Sequence, residues 1–400
     1  MWTGVGLIDI SPTLNLKITL KHDPESGTLI AQRGRIRSMN QFKIPRVLAT
    51  ILALMLLLSS FQATVPAQAD LDPVVVLFDA SHSPQFDAAD ADLGLKLMFD
   101  MVNISTRYII YVHEDGPLDD EVLNDVDILI IAGSDSSSLF SSAEYAGIAE
   151  MLANGSSLFL LGDPTISEDS TYWSEGPMED TGDNIALNTL LDGINMTGPR
   201  FSINETETDT WSDTMFDYDH SINGSTPWVV QLDSTTWDTT HPIFRNINEL
   251  VTMTSTLKPI ELASGIGNSY ESSFAQYRMD VNSWANYSAP NMTIDDFSLN
   301  PFSYSALNGT FPSWLSAFEY GSSRVTIAGS TIMFTGRPID LPEAELQWFY
   351  LADNAKLFMN ILDWLSADFV TAPSAIGSML IISGAILVIG IAFYLLKKLR

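Results

Sequence analysis

The chain has 400 residues, of which 46% are hydrophobic, and it carries a formal net charge of −30 at pH 7. Between Asp70 and Asp368 the sequence holds 46 acidic residues against nine basic ones, which excludes nucleic acid and anionic lipid headgroups as partners because like charges repel. Cysteine is absent, which excludes disulfides, thiolate metal sites and a cysteine nucleophile. Such an acidic surface is typical of a solvated protein, and it would also suit divalent cations or a medium of high salt.

The segment that precedes the acidic region has the features of an export signal. Residues 1–38 show no sustained periodicity, although they contain two runs that could form short strands. From Met39 a basic start is followed by an apolar run over 47–58 and by the small-residue motif at 67–69, which together predict a signal peptide over 39–69. We therefore expect translation to start at Met39, after an upstream extension. An uncleaved signal anchor is the alternative, although about twelve apolar residues are short for crossing a bilayer.

Short apolar runs alternate with amphipathic segments between residues 74 and 163. The apolar runs are VVVLFDA, RYIIYVH, VDILIIAGS and SLFLLGD, and the helical segments include ADADLGLKLMFDMVN and SSAEYAGIAEMLANG. This pattern is typical of parallel strands that are buried on both faces and joined by helices. We therefore predict an α/β fold with a doubly wound, mostly parallel sheet of the flavodoxin type, whose first part spans residues 70–168.

The regular pattern is interrupted over residues 169–320, which are rich in Ser, Thr, Asp and Trp. Short strands, such as one over 227–232, and helices, such as one over 184–193, are predicted within this range. Disordered segments are poor in aromatic residues, whereas this range contains six tryptophans, so we expect a folded, loop-rich inserted lobe. The aromatic side chains could stack on sugar rings, and core packing is the alternative.

The regular pattern returns over residues 321–366, which we expect to complete the sheet. Residues 323–334 are predicted to form one or two buried strands. Asp340, with Pro342 just after it, has the features of a helix start, because Asp caps helices and Pro suits the first turn. We therefore predict a helix from this point through Ala367.

The C-terminal region is predicted to cross a membrane. A run of 23 uncharged residues over 374–396 is followed by a basic tail over 397–400, and residues 367–373 would form a short tether. At about 1.5 Å per residue, a helix of this length spans the roughly 30 Å hydrocarbon core. The positive-inside rule places the basic tail in the cytoplasm. Together with the signal peptide, these features predict a single-pass protein of the cell membrane whose bulk is extracytoplasmic.

Eight N-x-[ST] sequons support this orientation, since the Asn and Ser/Thr contents predict fewer than half as many by chance. An exported protein without disulfides is ordinary in prokaryotes, and many archaea glycosylate such sites, so we favour an archaeal-type cell surface. The glycosylation candidates are Asn103, Asn154, Asn195, Asn204, Asn223, Asn286, Asn291 and Asn308.

Chemically active residue types follow the predicted strands, at the sheet edge where ligands bind in open parallel sheets. A hydrolase could use Asp79 and His82 as acid and base and Ser134 as nucleophile. No G-x-S-x-G elbow occurs, and Asp, Ser and Gly also form turns and cap helices, which is the alternative. The catalytic candidates are Asp79, His82, Ser134 and Asp163, and the ligand-binding candidates are Gly133, Asp135 and Ser136.

A dense group of carboxylates in the insertion is the candidate metal site. Asp209, Asp213, Asp217 and Asp219 could hold calcium through oxygen ligands, although they lack the twelve-residue loop pattern of known calcium loops. The sequence contains no phosphate-binding loop and no complete dinucleotide fingerprint. Calcium is therefore the possible cofactor, and no other is expected.

Several segments resemble class I glutamine amidotransferase-like, flavodoxin-like domains. They are VVVLFDASHSPQFD, DILIIAGSDSS, GSSLFLLGDP, the triplet HPI at 241–243, RVTIAGSTIMF and LADNAKLFMNILDWLS. Similar domains occur in extracytoplasmic auxiliary proteins of gliding-motility-type ABC transport systems and in intraflagellar transport proteins. The resemblance covers roughly residues 74–168 and 321–366. True amidotransferases carry a cysteine where this chain has Asp163, so the resemblance implies a non-catalytic domain used for binding or assembly.

Three functional hypotheses follow from the sequence. The leading one is a single-pass surface protein whose amidotransferase-like ectodomain binds a partner protein or a glycan, as an accessory of a transporter or another surface complex. The first alternative is a surface hydrolase that uses the strand-end crevice around Asp79, His82 and Ser134. The second alternative is a calcium-dependent envelope or adhesion protein.

Overall fold

A computed structural model describes two compact units of the chain, one formed by residues 1–69 and 373–400 and one by residues 70–372. The described residues are 17–22, 29–34, 73–83, 85–166, 170–172, 178, 181–203, 212–258, 265–277, 303–305, 313–342 and 344–369. Within these ranges no helix is long and apolar enough to cross a membrane. The predicted signal peptide and the predicted transmembrane segment both lie outside them.

The first unit contains a two-stranded antiparallel hairpin. Strand β1 (Lys17–His22) pairs with β2 (Leu29–Gly34) in an unbroken register.

The second unit holds the other regular elements. Its strands are β3 (Val74–Asp79), β4 (Tyr108–His113), β5 (Ile128–Ala132), β6 (Ser157–Leu161), β7 (Arg200–Phe201), β8 (Asp213–Phe216), β9 (Val230–Asp233), β10 (Glu249–Thr252), β11 (Leu257–Lys258), β12 (Gly265–Gly267), β13 (Phe274–Tyr277), β14 (Ser303–Ser305), β15 (Leu315–Tyr320) and β16 (Ser323–Ala328). Its α-helices are α1 (Lys96–Ile104), α2 (Asp120–Leu123), α3 (Ser142–Ala153), α4 (Ile185–Gly193) and α5 (Asn354–Leu365). Short 3₁₀ helices span Pro242–Phe244, Ile332–Phe334 and Trp348–Tyr350.

Seven strands form a central, mostly parallel sheet in the order β12-β15-β16-β6-β5-β3-β4. The five strands from β16 to β4 are parallel, while β15 and β12 add an antiparallel margin. This mixed α/β architecture with a mostly parallel sheet confirms the central part of the sequence prediction. Ile131 of β5 pairs with both Asp79 of β3 and Leu160 of β6, so the carboxyl ends of these strands lie side by side.

Helices cover both faces of the sheet, because the central strands are apolar on both sides. On one face, Phe78 and Phe159 belong to a core cluster that includes the buried residues of α1 and α5. On the other face, Leu77 and Leu158 belong to a second cluster with the buried apolar residues of α3 and α4. The alternation of side chains along each strand divides the core into these two layers.

Part of the range predicted as an inserted lobe belongs to the central α/β layers. Strands β12 and β15 extend the central sheet, and α4 packs its leucines into one of the two core clusters. The described tryptophans of this range, Trp228, Trp237 and Trp314, are buried, so they fill the core instead of offering surfaces for sugar stacking. Three small sheets complete the range, with the pairings β9–β10, β7–β11 and β8–β13–β14.

The predicted helix start at Asp340 is wrong, since α5 begins at Asn354. The carboxylate of Asp340 is buried and accepts hydrogen bonds from Thr171 N at 2.7 Å and from Trp228 Nε1 at 2.7 Å. Its capping capacity is therefore used by distant segments, a tertiary role that the local pattern does not reveal. In the range 323–334, one strand, β16, is followed by a 3₁₀ helix.

Candidate functional site

The carboxyl end of β3 carries a compact polar turn. Asp79 is fully buried, and its Oδ1 accepts hydrogen bonds from Ser81 N at 3.1 Å and from Ser81 Oγ at 2.6 Å. Its Oδ2 lies 2.9 Å from Nδ1 of His82. The side chain of Asp79 therefore organises the turn that aims the imidazole of His82 away from the strand.

The second ring nitrogen of His82 meets another buried carboxylate. Nε2 lies 3.3 Å from Oε1 of Glu144, and the imidazole ring stacks on Phe140 with centroids 4.1 Å apart. Since one acidic group lies at each ring nitrogen, the two carboxylates favour the protonated form of the His82 imidazole. The arrangement connects the end of β3 with the first turn of α3.

Glu144 is fixed in place by the start of its own helix. Ser141 and Glu144 form a capping box, in which the backbone N–H of Ser141 donates to Oε2 of Glu144 at 2.7 Å. Oε1 accepts a further hydrogen bond from Leu118 N at 3.0 Å. Burial favours a higher pKa for Glu144, but these hydrogen bonds and the charge of His82 outweigh it and lower the pKa below its ordinary value.

The electrostatics of His82 follow from the same contacts. Burial by itself lowers the pKa of His82, because it disfavours the charged ring. The hydrogen bond to Asp79 and the charges of Asp79 and Glu144 act in the opposite direction and raise the pKa above its ordinary value of 6.5. The charged imidazolium is therefore the form that this environment stabilises.

An open pocket of about 330 Å³ lies beside His82. Among the described residues, its lining carries three carboxylates and no lysine or arginine. The lining residues are Ser81, His82, Glu114, Asp115, Gly116, Pro117, Ser138 and Glu144. Because His82 is already neutralised by two carboxylates, the pocket offers net negative charge to a ligand.

Among the described residues, no hydrogen bond joins His82 to Ser134, the predicted nucleophile. A serine is activated when a histidine accepts its proton through a free lone pair, but both nitrogens of His82 lie against carboxylates. Among the described residues, Oγ of Ser134 is buried and has no hydrogen-bond partner. Ser81 Oγ lies 3.0 Å from Nδ1 of His82 but donates its proton to Asp79.

The ligand-binding candidates after β5 build a turn. Gly133 has φ of +51°, and a Cβ there would lie 2.8 Å from the ring of Phe86, so only glycine fits. Oδ1 of Asp135 accepts a hydrogen bond from Ser137 N at 2.7 Å. Ser136 is exposed and donates its backbone N–H to Oδ2 of Asp183 at 2.8 Å. The contact of Asp135 is local, whereas that of Ser136 ties the turn to a segment 47 residues further along the chain.

Asp163, at the end of β6, is fully buried next to the 3₁₀ turn over 332–334. Its Oδ1 accepts hydrogen bonds from Thr331 N at 2.9 Å and from Ile332 N at 3.1 Å. Its Oδ2 has no hydrogen-bond partner within the described part of the chain. Burial raises the pKa of Asp163 to about 7, against the opposing effect of the Thr331 side chain, of those backbone hydrogen bonds and of the charge on Arg337.

Two of the predicted metal residues, Asp213 and Asp217, are engaged by protein donors. Oδ1 of Asp213 accepts a hydrogen bond from Thr256 N at 2.7 Å, and burial raises the pKa of Asp213 to about 6. Asp217 accepts hydrogen bonds from Ser272 Oγ at 2.8 Å and Ser273 Oγ at 2.7 Å. Asp219 is exposed, and Asp209 lies outside the described residues. Within the described ranges, no group of three or more acidic or histidine side chains is placed to hold a metal ion.

Four of the predicted sequons can be placed in the structure. Asn103, Asn154, Asn195 and Asn223 all have exposed side chains. The other four, Asn204, Asn286, Asn291 and Asn308, lie outside the described residues.

The sequence pattern did not identify Glu144 as part of the site. It lies in a helix, 62 residues along the chain from His82, and only the order of the strands brings the two together. The S-x-x-E spacing from Ser141 indicates its capping role, but no local signal indicates the contact with His82. Glu114 and Asp115 were also missed. They follow β4 directly, so their position at a strand end is a signal that could have identified them.

Similarity to known proteins is found among solved structures. No family model and no curated protein matches the sequence. Among solved structures, the chain is similar to the mmIFT52 N-terminal domain at 15% identity, over 72% of this chain and 100% of that chain, with a TM-score of 0.42. It is similar to a cytoplasmic protein from Salmonella typhimurium at 11% identity, over 73% and 98% of the two chains, with a TM-score of 0.40. A ThuA-like protein from Bacteroides uniformis shares 10% identity over 75% and 94%, with a TM-score of 0.35. At these identities and TM-scores, the specific family of this chain stays a prediction.

Proposed function

We propose that the chain is a non-catalytic binding protein, in which an amidotransferase-like α/β domain binds a partner protein through the acidic pocket beside His82. The observation that supports this most directly is the position of His82 between Asp79 and Glu144. A histidine with a carboxylate at each ring nitrogen stabilises a wall of the pocket and has no lone pair free for proton abstraction.

The chemistry of the pocket favours a cationic group on the partner. Glu114 and Asp115 are exposed at the rim, and Glu144 contributes to the lining. No lysine or arginine is present in the lining to balance them. A lysine or arginine side chain would form charge-assisted hydrogen bonds with such carboxylates.

A protein partner fits this pocket better than a glycan. Sugar-binding sites commonly present an exposed aromatic face, whereas no aromatic side chain lines this pocket. The tryptophans of the insertion that the structure describes are buried. We therefore favour a protein ligand over the glycan that the sequence left open.

The proposed cellular setting follows from the sequence. A signal peptide over 39–69 and a transmembrane helix over 374–396 would hold this domain at the outer face of the cell membrane. In that setting it would serve as an accessory of an ABC-type transport complex or of another surface complex.

Labelling with a fluorophosphonate probe tests the absence of a catalytic serine, because such probes react with activated serine nucleophiles. We expect the full chain to be labelled no more than the heat-denatured chain. Stoichiometric labelling of Ser81 or Ser134 that is lost in His82→Gln would overturn the proposal in favour of the hydrolase.

Binding of an oligolysine peptide tests the role of the pocket. Removing two pocket carboxylates in the Glu114→Gln, Asp115→Asn double variant is expected to weaken binding about fivefold, since exposed ion pairs contribute up to about 1 kcal/mol each. The matched control is Glu249→Gln with Glu345→Gln, which removes the same charge from exposed residues outside the pocket. Equal weakening in both double variants would mean that only the overall charge matters.

A further inference from the structure

Strand β4 forms one edge of the central sheet. It pairs with β3 on one side, and no strand among the described residues pairs with its other side. All six of its residues are in register with β3, from Tyr108 opposite Val74 to His113 opposite Asp79. The strand is therefore regular over its whole length.

The outward hydrogen-bonding groups of β4 can be assigned from its contacts with β3. Val74 N donates to Arg107 O, and Ala80 N donates to His113 O, so the odd-numbered residues face β3. The backbone N–H and C=O groups of Tyr108, Ile110 and Val112 consequently point away from the sheet. The N–H of Ile110 makes a long hydrogen bond of 3.3 Å to Oδ1 of Asn103, which an added strand would replace.

The side chains along this edge are apolar and exposed. Ile109 is 37% exposed, Tyr111 54% and Val112 36%, and β4 contains no lysine, proline or acidic residue. Natural sheets normally protect an edge with such residues, with bulges or with a very short strand. The edge at β4 lacks these protections.

The opposite edge of the same sheet has them. Strand β12 is only three residues long and has glycine at Gly265 and Gly267, with a shift of register between them. A bridge from Trp237 to Gly267 covers its outer side. Within the described part of the chain one edge is blocked and the other is open, so the edge at β4 is the one suited to accept a strand.

The charge around β4 indicates the kind of strand. From Tyr108 to Glu121 the chain contains no lysine or arginine. Five exposed acids follow the carboxyl end of β4, namely Glu114, Asp115, Asp119, Asp120 and Glu121. Two of them, Glu114 and Asp115, also line the acidic pocket. A segment paired with β4 would therefore have one end in a strongly negative environment.

We propose that an extended segment of a partner protein adds to the sheet along β4, in antiparallel orientation. Its backbone pairs with Tyr108, Ile110 and Val112, and its alternate apolar side chains pack on Ile109 and Tyr111. Antiparallel pairing brings its N-terminal end to the acids that follow β4, so lysine or arginine residues precede its apolar residues. One of these basic side chains enters the pocket, and this last point rests on the proposed function. A second copy of this chain is a poorer occupant because two chains of net charge −30 repel each other.

Selection from random short peptides displayed on phage, with the full-length chain as bait, tests this inference. We expect the enriched peptides to have lysine or arginine followed by apolar residues at every second position. The best peptide is then synthesised, and its affinity is measured by fluorescence anisotropy for the wild type and the variants.

Two edge variants test the docking position. Ile110→Pro removes an outward N–H without touching the ladder to β3, and Tyr111→Lys places a charge on the exposed apolar face. We expect each to weaken peptide binding at least about tenfold, which corresponds to about 1.4 kcal/mol. Tyr350→Lys is the matched control, since Tyr350 is 63% exposed and lies far along the chain, outside β4. Thermal melting of each variant checks that it is folded.

The outcomes separate this inference from the proposed function. If selection enriches no alternating basic peptide, or if Tyr111→Lys and Tyr350→Lys bind equally, strand addition at β4 is overturned. If only the Glu114→Gln, Asp115→Asn variant loses the peptide, the pocket binds it without the strand, and the proposed function stands alone. If sedimentation experiments show a dimer that Tyr111→Lys abolishes, the segment that pairs with β4 belongs to a second copy of this chain and not to a partner protein. Serine labelling by the fluorophosphonate probe would contradict the proposed function but not strand addition at β4.

Discussion

The carboxyl ends of β3 and β6 each bury a carboxyl group, and the surrounding groups stabilise it in two different ways. Each strand leads into a buried aspartate, Asp79 in one case and Asp163 in the other. Asp79 lies 2.9 Å from the imidazole of His82, which supplies a compensating charge. Asp163 receives two backbone hydrogen bonds through one oxygen, while its other oxygen has no hydrogen-bond partner within the described residues.

The difference shows that the groups around a buried aspartate decide its role in the structure. A buried carboxylate is costly unless it is paired, and an unpaired one is relieved by taking up a proton. The pKa of Asp163 is accordingly raised to about 7 by burial. At β3 the aspartate is paired with His82, which lines a pocket, whereas at β6 the carboxyl group caps a turn through two backbone N–H groups.

The largest expected effect follows the removal of the shared cation. His82→Gln leaves Asp79 and Glu144 buried without their counter-charge, and we expect the free energy of unfolding to fall by about 4 kcal/mol at pH 6. The pH matters because the raised pKa of His82 contributes stability that is complete below 6.5 and is lost as pH rises through the folded-state value. Urea unfolding at pH 6 measures the loss.

His113→Gln is the matched control for this change. His113 is less buried than His82, and its Nε2 lies 3.0 Å from the backbone oxygen of Gly116, without a carboxylate partner in the described structure. Its replacement should change the free energy of unfolding by less than about 0.5 kcal/mol. Similar losses of unfolding free energy in the two variants would show that the contacts of His82 with its two carboxylates do not stabilise the fold.

A smaller effect is expected at β6, where substitution of Asp163 should stabilise the protein near pH 7, whereas substitution of His82 destabilises it. Because burial raises the pKa of Asp163 from 3.8 to about 7, the folded state binds this proton more tightly than the unfolded state, and stability falls as pH rises through that window. Between pH 5 and pH 7 the resulting loss is about 2 kcal/mol, at about 1.36 kcal/mol per pH unit. Asp163→Asn keeps the accepting oxygen and cannot ionise, so it should remove this loss.

Urea unfolding of wild type and Asp163→Asn at both pH values gives the comparison. His82 and Asp213 also make the wild type less stable as pH rises, but they are present in both proteins and cancel in the difference. An Asp163→Asn variant with the same pH dependence as the wild type would mean that Asp163 is paired in solution.

The smallest effect is expected at Ser134, between the two strand ends. Its buried hydroxyl has no hydrogen-bond partner among the described residues, so Ser134→Ala should change the free energy of unfolding by no more than about 0.5 kcal/mol. Ser157→Ala is the matched control, because its buried hydroxyl donates to Leu365 O at 2.9 Å and its loss should cost about 1 kcal/mol. A larger cost at Ser134 than at Ser157 would reveal a partner for its hydroxyl.

Local pattern accounts for the elements that form the centre of the fold. The apolar runs of β3 to β6 and β16 and the amphipathic run of α3 are each recognisable without their neighbours, because alternation and helical period are local properties. Asp79, His82, Ser134 and Asp163 could likewise be assigned to strand ends, since the end of an apolar run marks the sheet edge. The three residues of β12 are too few to show a period, and the place of β15 in the central sheet depends on its pairing with β16, which the sequence of β15 alone does not show.

The sequence by itself determined the acidic charge, the absence of cysteine chemistry and the set of parallel strands whose ends carry polar residues. Only the tertiary structure decided what those residues do. The contact of His82 with Glu144 depends on strand order and on a helix start 62 residues away, and the burial of Asp340 depends on segments more than a hundred residues distant. Protonation and pairing are set by all the groups that surround a side chain in space, whereas a sequence pattern records only those adjacent along the chain.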